Sequence, residues 1–402
     1  MEIIVQKYGG TSMADAECIK NVAQKVLRAK KEGKKVVVVV SAPAGMTDDL
    51  IRRAKEISAK PSGRELDMIL STGEQISISL LAMAIHEMGE EAISFTSAQV
   101  GILTDGVHTK AKIEAINTSK ILSELEQDKV VIIPGFQGVT KELEITTLGR
   151  GGSDTSAVAL GVALKAEEVE IYTDVDGIYT ADPRIVPKAH KIETISFDEM
   201  LEMAGAGAKV LHLRSVELAA KNNLPIHLRS SFTDTKGTYV VGEDTSMEKV
   251  FVRGVAHTTN NAKITIAELK NSSKNIAYIF NEIAKNNINV DVITQNNISK
   301  EEITISFTVT EEDYDRALEL TKVLAEKVEA KEVSGNIGVA KVCVIGVGMK
   351  STPGVAARVF ECLSQNEVEI DLISTSDINI TCVIKQEDYS KAVLAIHNEF
   401  DL

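Results

Sequence analysis

The chain is expected to be an α/β protein: a mainly parallel sheet covered by helices on both faces, followed by two small β-α-β-β-α-β modules. Three observations predict this. Short β-branched runs alternate with amphipathic helical stretches from residue 2 to about residue 241, the pattern of parallel strands joined by helical crossovers. One strand-to-helix junction carries three glycines in four positions, Gly149, Gly151 and Gly152 around Arg150. Past Gly242 the chain repeats itself. Phe280, Asn286, Val290, Asp291, Val292 and Ile293 recur as Phe360, Asn366, Ile370, Asp371, Leu372 and Ile373, a shift of 80 residues.

Taken in order, residues 2–6 read as a buried strand that delivers Lys7-Tyr8-Gly9-Gly10-Thr11-Ser12. A helix follows with Ile19, Val22, Ala23, Val26 and Leu27 on one face, stopped by Gly33. The valine run 36–40 is a central parallel strand ending in a small-residue loop, Ser41 to Asp48. Residues 63–88 read as one helix with Ser71-Thr72-Gly73-Glu74 in its interior. Then come a strand at 92–97, a helix at 109–127 and a strand at 129–133 ending in Pro134-Gly135. After the glycine loop, Ser153 or Asp154 can cap a helix whose apolar residues are Ala157, Val158, Leu160, Gly161 and Leu164. The next strand, 168–173, runs into the loop Thr173 to Arg184. Helices near 197–204 and 208–222 precede strands at 226–229 and 237–241. In such sheets ligands lie at the carboxyl ends of the strands. The loops at Lys7, Ser41, Pro134 and Thr173 are therefore expected to share one crevice.

In the repeat, helices at 276–285 and 355–364 hold equal places, as do strands at 303–309 and 378–384. Each copy is small, so the two are expected to bury faces against each other, within or between chains.

Bulk properties narrow the function. A chain of 402 residues suggests two or three domains. A net charge of −14 argues against nucleic acid or an anionic membrane as partner. With 4% aromatic residues and no Trp, base-stacking platforms are not expected. Cys18, Cys343, Cys362 and Cys382 are scattered, as suits reduced thiols in a cytoplasmic protein. The longest apolar run, 36–40, is too short to span a bilayer, and the chain opens on a strand, so no membrane or leader segment is expected. An anionic ligand must then be attracted locally. A glycine-rich turn at a helix start offers free N–H groups and a positive dipole end, and Arg150 adds a fork that suits carboxylate or phosphate. No Gly-Lys-Ser/Thr follows, so this is not a P-loop.

Five motifs in order, Lys7 to Ser12, Ser71 to Glu74, Thr147 to Ala157, Thr173 to Arg184, and Lys209-Val210-Leu211-His212, resemble the aspartokinase family of the amino-acid kinase fold. The repeat resembles a pair of ferredoxin-like ACT domains, with Gly346-Val347-Gly348-Met349 and Ile373 to Asp377 as its C-terminal signature. The resemblance implies a catalytic domain at 1–245, a first ACT region at 246–335 and a second at 336–402, with a strand near 250–257 joining the second. It also implies phosphorylation of the β-carboxylate of L-aspartate by ATP with Mg2+, and feedback by lysine, threonine or both. A homo-oligomer through the ACT domains is implied, or a regulatory subunit started internally at Met247. Three departures stand out. Ser351-Thr352-Pro353-Gly354 replaces the expected Ser-His-Pro-Gly, Asp377 stands where Glu is usual, and His227-Leu228-Arg229 where Arg-Val-Arg is common.

Carried over residue by residue, the resemblance makes Lys7, Arg150 and Asp154 catalytic. ATP would meet Lys7, Tyr8, Gly9, Gly10, Ser41, Thr173, Asp174, Tyr179, Asp182, Arg184, Lys209 and Val210. Aspartate would meet Thr47, Glu74, Arg150, Gly151, Gly152 and Ser153, with Glu74 on its ammonium and Arg150 on a carboxylate. Asp291, Gln295, Asn296 and Asp371 would hold the effector. The chemical difficulty is electrostatic. A carboxylate is already a nucleophile, but at ~4 Å two unit charges repel by roughly 4 kcal/mol at an effective dielectric near 20. The site must present cations and N–H donors in advance.

Overall fold

The structure, a computed structural model, describes residues 2–208, 210–242, 252–349 and 352–402. Lys209, Ser351 and the Met247 region lie outside the described residues. The chain divides into two compact units. One comprises residues 1–178, 191–204 and 209–245; the other 179–190, 205–208 and 246–402.

The first unit is built on an eight-stranded sheet. Its order is Thr194–Ser196, Thr238–Val241, Ile226–Ser230, Glu168–Thr173, Ile3–Tyr8, Lys35–Val40, Val130–Pro134 and Ala92–Ser94. The six strands from Ile226–Ser230 to Ala92–Ser94 run parallel, so their carboxyl ends share one edge. Val36 to Val40 are buried on both faces, which is why that run is uninterrupted valine. On one face Ile4, Tyr8, Val36, Val38 and Val40 meet Ile19, Val22 and Val26 of helix Ala16–Lys31, with Leu81 and Ile85 of helix Thr72–Glu87. Asp15 caps the first of these helices, accepting the Cys18 N–H at 2.9 Å. Helix Gly152–Leu164 packs against Ile3–Tyr8 and Lys35–Val40 and is buried nearly all round. A Cβ on its Gly161 would lie 2.6 Å from Val169, so this helix can only approach the sheet as glycine.

Several local expectations change. The helix expected at 109–127 is helical only over Ser119–Glu126; Ile113–Ile116 is a strand. The isoleucines there pair with Ile102–Thr104 in a second, four-stranded sheet with Gln137–Val139 and Ile145–Thr147. Tertiary pairing overrode the helical period. Residues 63–88 are two helices, Gly63–Leu70 and Thr72–Glu87, broken at Ser71. Ser71 Oγ turns back to the Met68 carbonyl at 2.9 Å, and its own carbonyl accepts Gln137 Nε2 at 2.9 Å. Gly63–Glu87 is the one stretch among the described residues apolar and long enough to cross a membrane. Its break and its buried Asp67 and Glu74 mark it as a core helix pair. The glycine-loop helix begins at Gly152 with Gly151 as its N-cap at φ +69°, and neither Ser153 nor Asp154 caps it.

The second unit carries a six-stranded antiparallel sheet in the order Ile293–Asn297, Glu302–Thr310, Gly254–Lys270, Glu332–Ile345, Asn379–Lys385 and Ile370–Thr375. Its two central strands each serve both repeats. Residues 261–267 pair with 332–339, while Gly254 to Thr258 pair with Lys341 to Ile345. The second repeat thus takes its fourth strand from the residues that precede the first. Asn260 at φ +61° and Gly338 at φ +73° mark the crossing points. Helices Ser273–Lys285 and Tyr314–Lys327 cover one repeat; Val355–Gln365 and Tyr389–Glu399 cover the other. All four cysteines are free thiols.

Candidate active site

The site forms where the parallel strands of the first unit end. Lys7, last but one in its strand, points its ammonium at Asp154 on the first turn of the glycine-loop helix, 2.7 Å away. Both side chains are only slightly exposed. Asp154, expected to be catalytic as well as a candidate cap, thus forms an ion pair with Lys7. Around this pair the strand-end loops interlock through backbone bonds. Gly9 N–H donates to the Tyr172 carbonyl at 3.3 Å, Ser41 N–H to Tyr8 at 3.0 Å, and Ala44 N–H to Gly10 at 3.0 Å. Gly135 N–H donates to Val40 at 2.9 Å, and Ser231 N–H to Thr173 at 2.8 Å. The Gly9 N–H is thus directed to the neighbouring strand end. Gly10 keeps the loop close: a Cβ there would sit 2.9 Å from the Ala42 carbonyl.

The glycine loop is fitted just as closely. A Cβ on Gly151 would fall 2.0 Å from the His212 ring, and one on Gly135 would fall 2.7 Å from Ser153. Only glycine lets these backbones meet. Arg150, at the loop tip, is exposed and takes no partner among the described residues, so its guanidinium is available to a ligand.

Glu74 is buried with only one of its oxygens hydrogen-bonded. It is 3% exposed, at the start of helix Thr72–Glu87. Oε1 accepts the Ala42 N–H at 3.2 Å, while Oε2 has no partner. Burial pushes its carboxyl up to about 7, opposed more weakly by its own and the Ala42 backbone N–H groups and by the nearby Gln137 amide. Gly73 beside it comes within 2.7 Å of the Ala42 Cβ for a built Cβ, so Glu74 lies directly beneath the loop Ser41–Met46. Thr47 follows on helix Met46–Ile57, half-buried.

Thr173 ends its strand and donates Oγ1–H to Asp174 at 3.0 Å. The rest of the expected nucleotide loop is placed otherwise. Tyr179, Asp182 and Arg184 belong to segment 179–190, which folds with the second unit. There Arg184 grips Asp182 through Nε at 3.0 Å and through a terminal nitrogen at 2.6 Å, which holds the Asp182 carboxyl below its usual range. Val210 is half-buried in a turn of the first unit. Of the effector residues, Asp291 pairs with Lys341, and Asp371 with Lys263 at 2.6 Å. Gln295 and Asn296 are exposed on the edge strand Ile293–Asn297.

Two supporting residues escaped the sequence reading. Asp67 is fully buried and accepts from His108 Nδ1 at 2.8 Å, Thr109 N–H at 3.0 Å and Thr147 Oγ1 at 2.5 Å, fixing the strand that enters the glycine loop. Arg214 donates to the Leu148 and Ala111 carbonyls at 3.1 and 3.0 Å, clamping the same loop from the other side. A lone carboxylate inside the apolar run Leu66 to Leu70 was the available signal for Asp67; nothing in sequence distinguished Arg214. Beneath the site, Glu170 accepts from Arg229 at 2.6 Å, Gln6 Nε2 at 2.6 Å and the Tyr172 hydroxyl at 3.3 Å. Glu168, Glu170 and His227 bring potential metal ligands within 4.8 Å. Arg229 and Gln6 already occupy both oxygens of Glu170, while neither ring nitrogen of buried His227 has a hydrogen-bond partner among the described residues.

Comparison with known proteins agrees with this architecture. Residues 2–230 match the amino acid kinase family, and residues 267–322 and 342–400 match an ACT domain. The chain is 47% identical to the aspartokinase of Mycolicibacterium smegmatis, covering 100% of this chain and 97% of that one. It is 48% identical to the aspartokinase of Geobacillus stearothermophilus, covering 100% and 98%. Its fold is similar to that of E. coli aspartokinase III in complex with aspartate and ADP (R-state), with a TM-score of 0.84, 28% identity and full coverage of both chains. The lysine and aspartate complex of the same enzyme (T-state) gives 0.79 at 29% identity, again over both whole chains. The chain belongs to the aspartokinases, kinase enzymes that join an amino acid kinase domain to C-terminal ACT domains.

Proposed function

We propose that this chain transfers the γ-phosphoryl group of ATP to the β-carboxylate of L-aspartate, giving 4-phospho-L-aspartate and ADP. The observation that carries the reading is the Lys7–Asp154 pair, set where glycine loops from several strand ends meet. Lys7 neutralises oxygens of the transferring group, and Asp154 keeps the ammonium aimed. No general base is needed, because the acceptor is ionised at neutral pH. Arg150 takes a substrate carboxylate, with Gly151, Gly152 and Ser153 beside it. The partnerless Oε2 of Glu74 takes the ammonium, and Thr47 completes that wall. Tyr8, Gly9, Gly10, Ser41, Thr173 and Asp174 belong to the nucleotide side, together with Tyr179, Asp182, Arg184, Lys209 and Val210. Mg2+ enters with ATP. Exposed Asp174 is a hard oxygen donor that fits it, with phosphate and water supplying the remaining ligands.

The reaction would be the first step of the lysine, threonine and methionine branch of biosynthesis, and lysine, threonine or both would bind for feedback where the repeats meet. Asp291 reaches Lys341 and Asp371 reaches Lys263, each carboxylate answering a lysine of the opposite repeat. An effector ammonium would displace one of these lysines, with Gln295 and Asn296 binding its carboxylate. The catalytic division at 1–245 and the ACT divisions at 246–335 and 336–402 belong to the same proposal. So do a cytoplasmic location, a homo-oligomer through the ACT domains, and the alternative of a subunit started at Met247.

The test traps an acyl phosphate with hydroxylamine in the presence of Mg-ATP and a panel of amino acids. Hydroxamate with aspartate supports the reading; product with glutamate and none with aspartate overturns it. Arg150→Ala should raise the aspartate KM by about 100-fold, the worth of a charge-assisted bidentate contact. An unchanged KM removes the clamp.

A further inference from the structure

The amino-terminal half of strand Glu168–Thr173 carries a cluster that the phosphoryl-transfer site does not use. Side chains alternate along a strand, so Glu168 and Glu170 share one face of the sheet. His227 pairs with Glu170 in the parallel ladder, and Tyr239 pairs with His227 in the next, which brings all four to that face. The Tyr239 ring stacks on the His227 ring with centroids 3.9 Å apart, which fixes the plane of the imidazole. Glu168 opens its strand, whereas Thr173 closes it at the catalytic edge, and the strand rise separates the two by about 16 Å.

His227 is 6% exposed, yet neither of its ring nitrogens has a hydrogen-bond partner among the described residues. Nδ1 stops 3.8 Å from Oε1 of Glu170, beyond hydrogen-bond reach. Burial, and after it the Arg229 guanidinium, lowers the His227 pKa to about 4, so the ring is neutral and keeps a lone pair for a ligand. Half-buried Glu168 has no hydrogen bond or ion pair among the described residues, and burial with the Glu170 charge beside it pushes its carboxyl up. Glu170 differs, since Arg229 and Gln6 each hold one of its oxygens. A carboxylate oxygen has a second lone pair, and carboxylates that bind metals commonly carry such hydrogen bonds. Two carboxylates thus face one guanidinium, and the cluster is one cation short. Of the other cations that act on it, Lys34 is bound to Glu2 and Glu167, and Lys236 to Glu193. Donor atoms of Glu168, Glu170 and His227 all lie within 4.8 Å of one another. Ligands at about 2.0–2.2 Å from one Zn2+ stand roughly 3.4 Å apart in a tetrahedron, so small side-chain rotations close the set.

We propose that Glu168, Glu170 and His227 form a binding site for a divalent transition-metal cation of the Zn2+ type, which ties strand Glu168–Thr173 to strand Ile226–Ser230. One imidazole nitrogen and two carboxylate oxygens suit Zn2+ better than Mg2+, which takes oxygen ligands. The partial exposure of Glu168 lets water supply a fourth ligand. Position 227 is one of the three departures from the family pattern. A guanidinium there would supply the missing charge directly; the imidazole leaves it to a bound cation. The metal's part is structural, and its site is distinct from that of the Mg2+ that enters with ATP.

The experiment titrates the chelator-stripped full chain with Zn2+ by calorimetry, without nucleotide, and follows thermal unfolding in parallel. Co2+ then replaces Zn2+ as a probe visible by absorption. The wild-type chain should bind one Zn2+, and its Tm should climb with free Zn2+. Co2+ should give a d–d band that Zn2+ removes and excess Mg2+ does not. Glu168→Gln and His227→Leu should each weaken Zn2+ binding by about 100-fold or more, beyond the usual cost of losing an outer-shell partner. Both should lose the Tm response and the Co2+ band. Hydroxamate formation with Mg-ATP and aspartate should stay at the wild-type level in both variants, because the site lies away from the catalytic edge. If His227→Leu does not fold, Glu168→Gln decides the matter, since it keeps the shape of a side chain that holds no partner. A wild-type chain that binds no Zn2+ overturns the proposal. So does undiminished Zn2+ binding in either folded variant, which would put the metal on other side chains.

Discussion

Two glutamates of the first unit are buried to nearly the same degree and could hardly differ more in their company. Glu170, 5% exposed, is surrounded by Arg229, Gln6 and Tyr172, and each oxygen is taken. Glu74, 3% exposed, has one backbone N–H on one oxygen and nothing on the other. Burial alone therefore does not tell a structural charge from a functional one; the count of partners does. A satisfied buried carboxylate holds a sheet together. On the function proposed above, the open oxygen of Glu74 is completed by the substrate ammonium. The Lys7–Asp154 pair lies between these cases, matched in charge yet open enough to face a substrate.

The largest effect should come from that intermediate pair. Lys7→Ala should lower kcat by roughly 10³-fold or more, because charge stabilisation in the transition state is lost, while aspartate affinity changes much less. Steady-state kinetics with a calorimetric Kd separates the two, and equal kcat in the variant removes Lys7 from the mechanism. At the structural extreme, Arg229→Leu strands Glu170 as a lone buried charge and should destabilise the first unit by about 3–5 kcal/mol in urea. Replacing both partners, as Arg229→Leu with Glu170→Met, should recover most of that loss. If the double variant is as unstable as the single, Glu170 is not the partner that matters.

At the functional extreme the sign reverses. The Glu74 carboxyl is raised to about 7 in the folded chain, from 4.5 when unperturbed. The folded state then binds the proton more tightly than the unfolded one, so stability falls as pH rises from 4.5 to 7 and levels off above. Glu74→Gln abolishes this cost. It should stabilise the protein by up to about 3 kcal/mol at pH 8, with the gain vanishing below pH 4.5, while raising the aspartate KM about 100-fold. Stability and activity moving in opposite directions is the mark of a site residue; a loss of both would make Glu74 structural.

How much of this was legible beforehand follows from the range of each interaction. The valine run, the glycine loop and the repeat are local patterns, and each appears where its period or spacing placed it. Lys7, Glu74 and Arg150 were visible because short motifs surround them. What the chain did not disclose was long-range. The motifs mark Asp154 both as catalytic and as a candidate cap; that it meets Lys7, 147 positions earlier, and does not cap its helix is visible only in the fold. Ile113–Ile116 carries a helical period that only the neighbouring strands override. Arg214 and Arg229 are ordinary residues in sequence, and their partners lie 66 and 59 positions away. His227 lies 57 positions from Glu170, so no motif could join them.

The smallest of these effects tests the comparison most finely. If Glu74 must be ionised to receive an ammonium, its raised pKa makes aspartate binding pH-dependent in the ordinary working range. Free aspartate keeps both carboxylates ionised above pH 5, so the enzyme's own group governs the change. With a carboxyl at about 7, only about one site in ten is ionised at pH 6, and the apparent Kd should rise about tenfold between pH 8 and pH 6. Binding at pH 6 should also draw a proton off the protein, because the incoming ammonium pulls the Glu74 pKa down. Calorimetry without ATP, in buffers of differing ionisation enthalpy, reads both quantities. Glu74→Gln should bind weakly but with no pH slope and no proton release. A variant at Glu74 that left the slope intact would place its origin elsewhere.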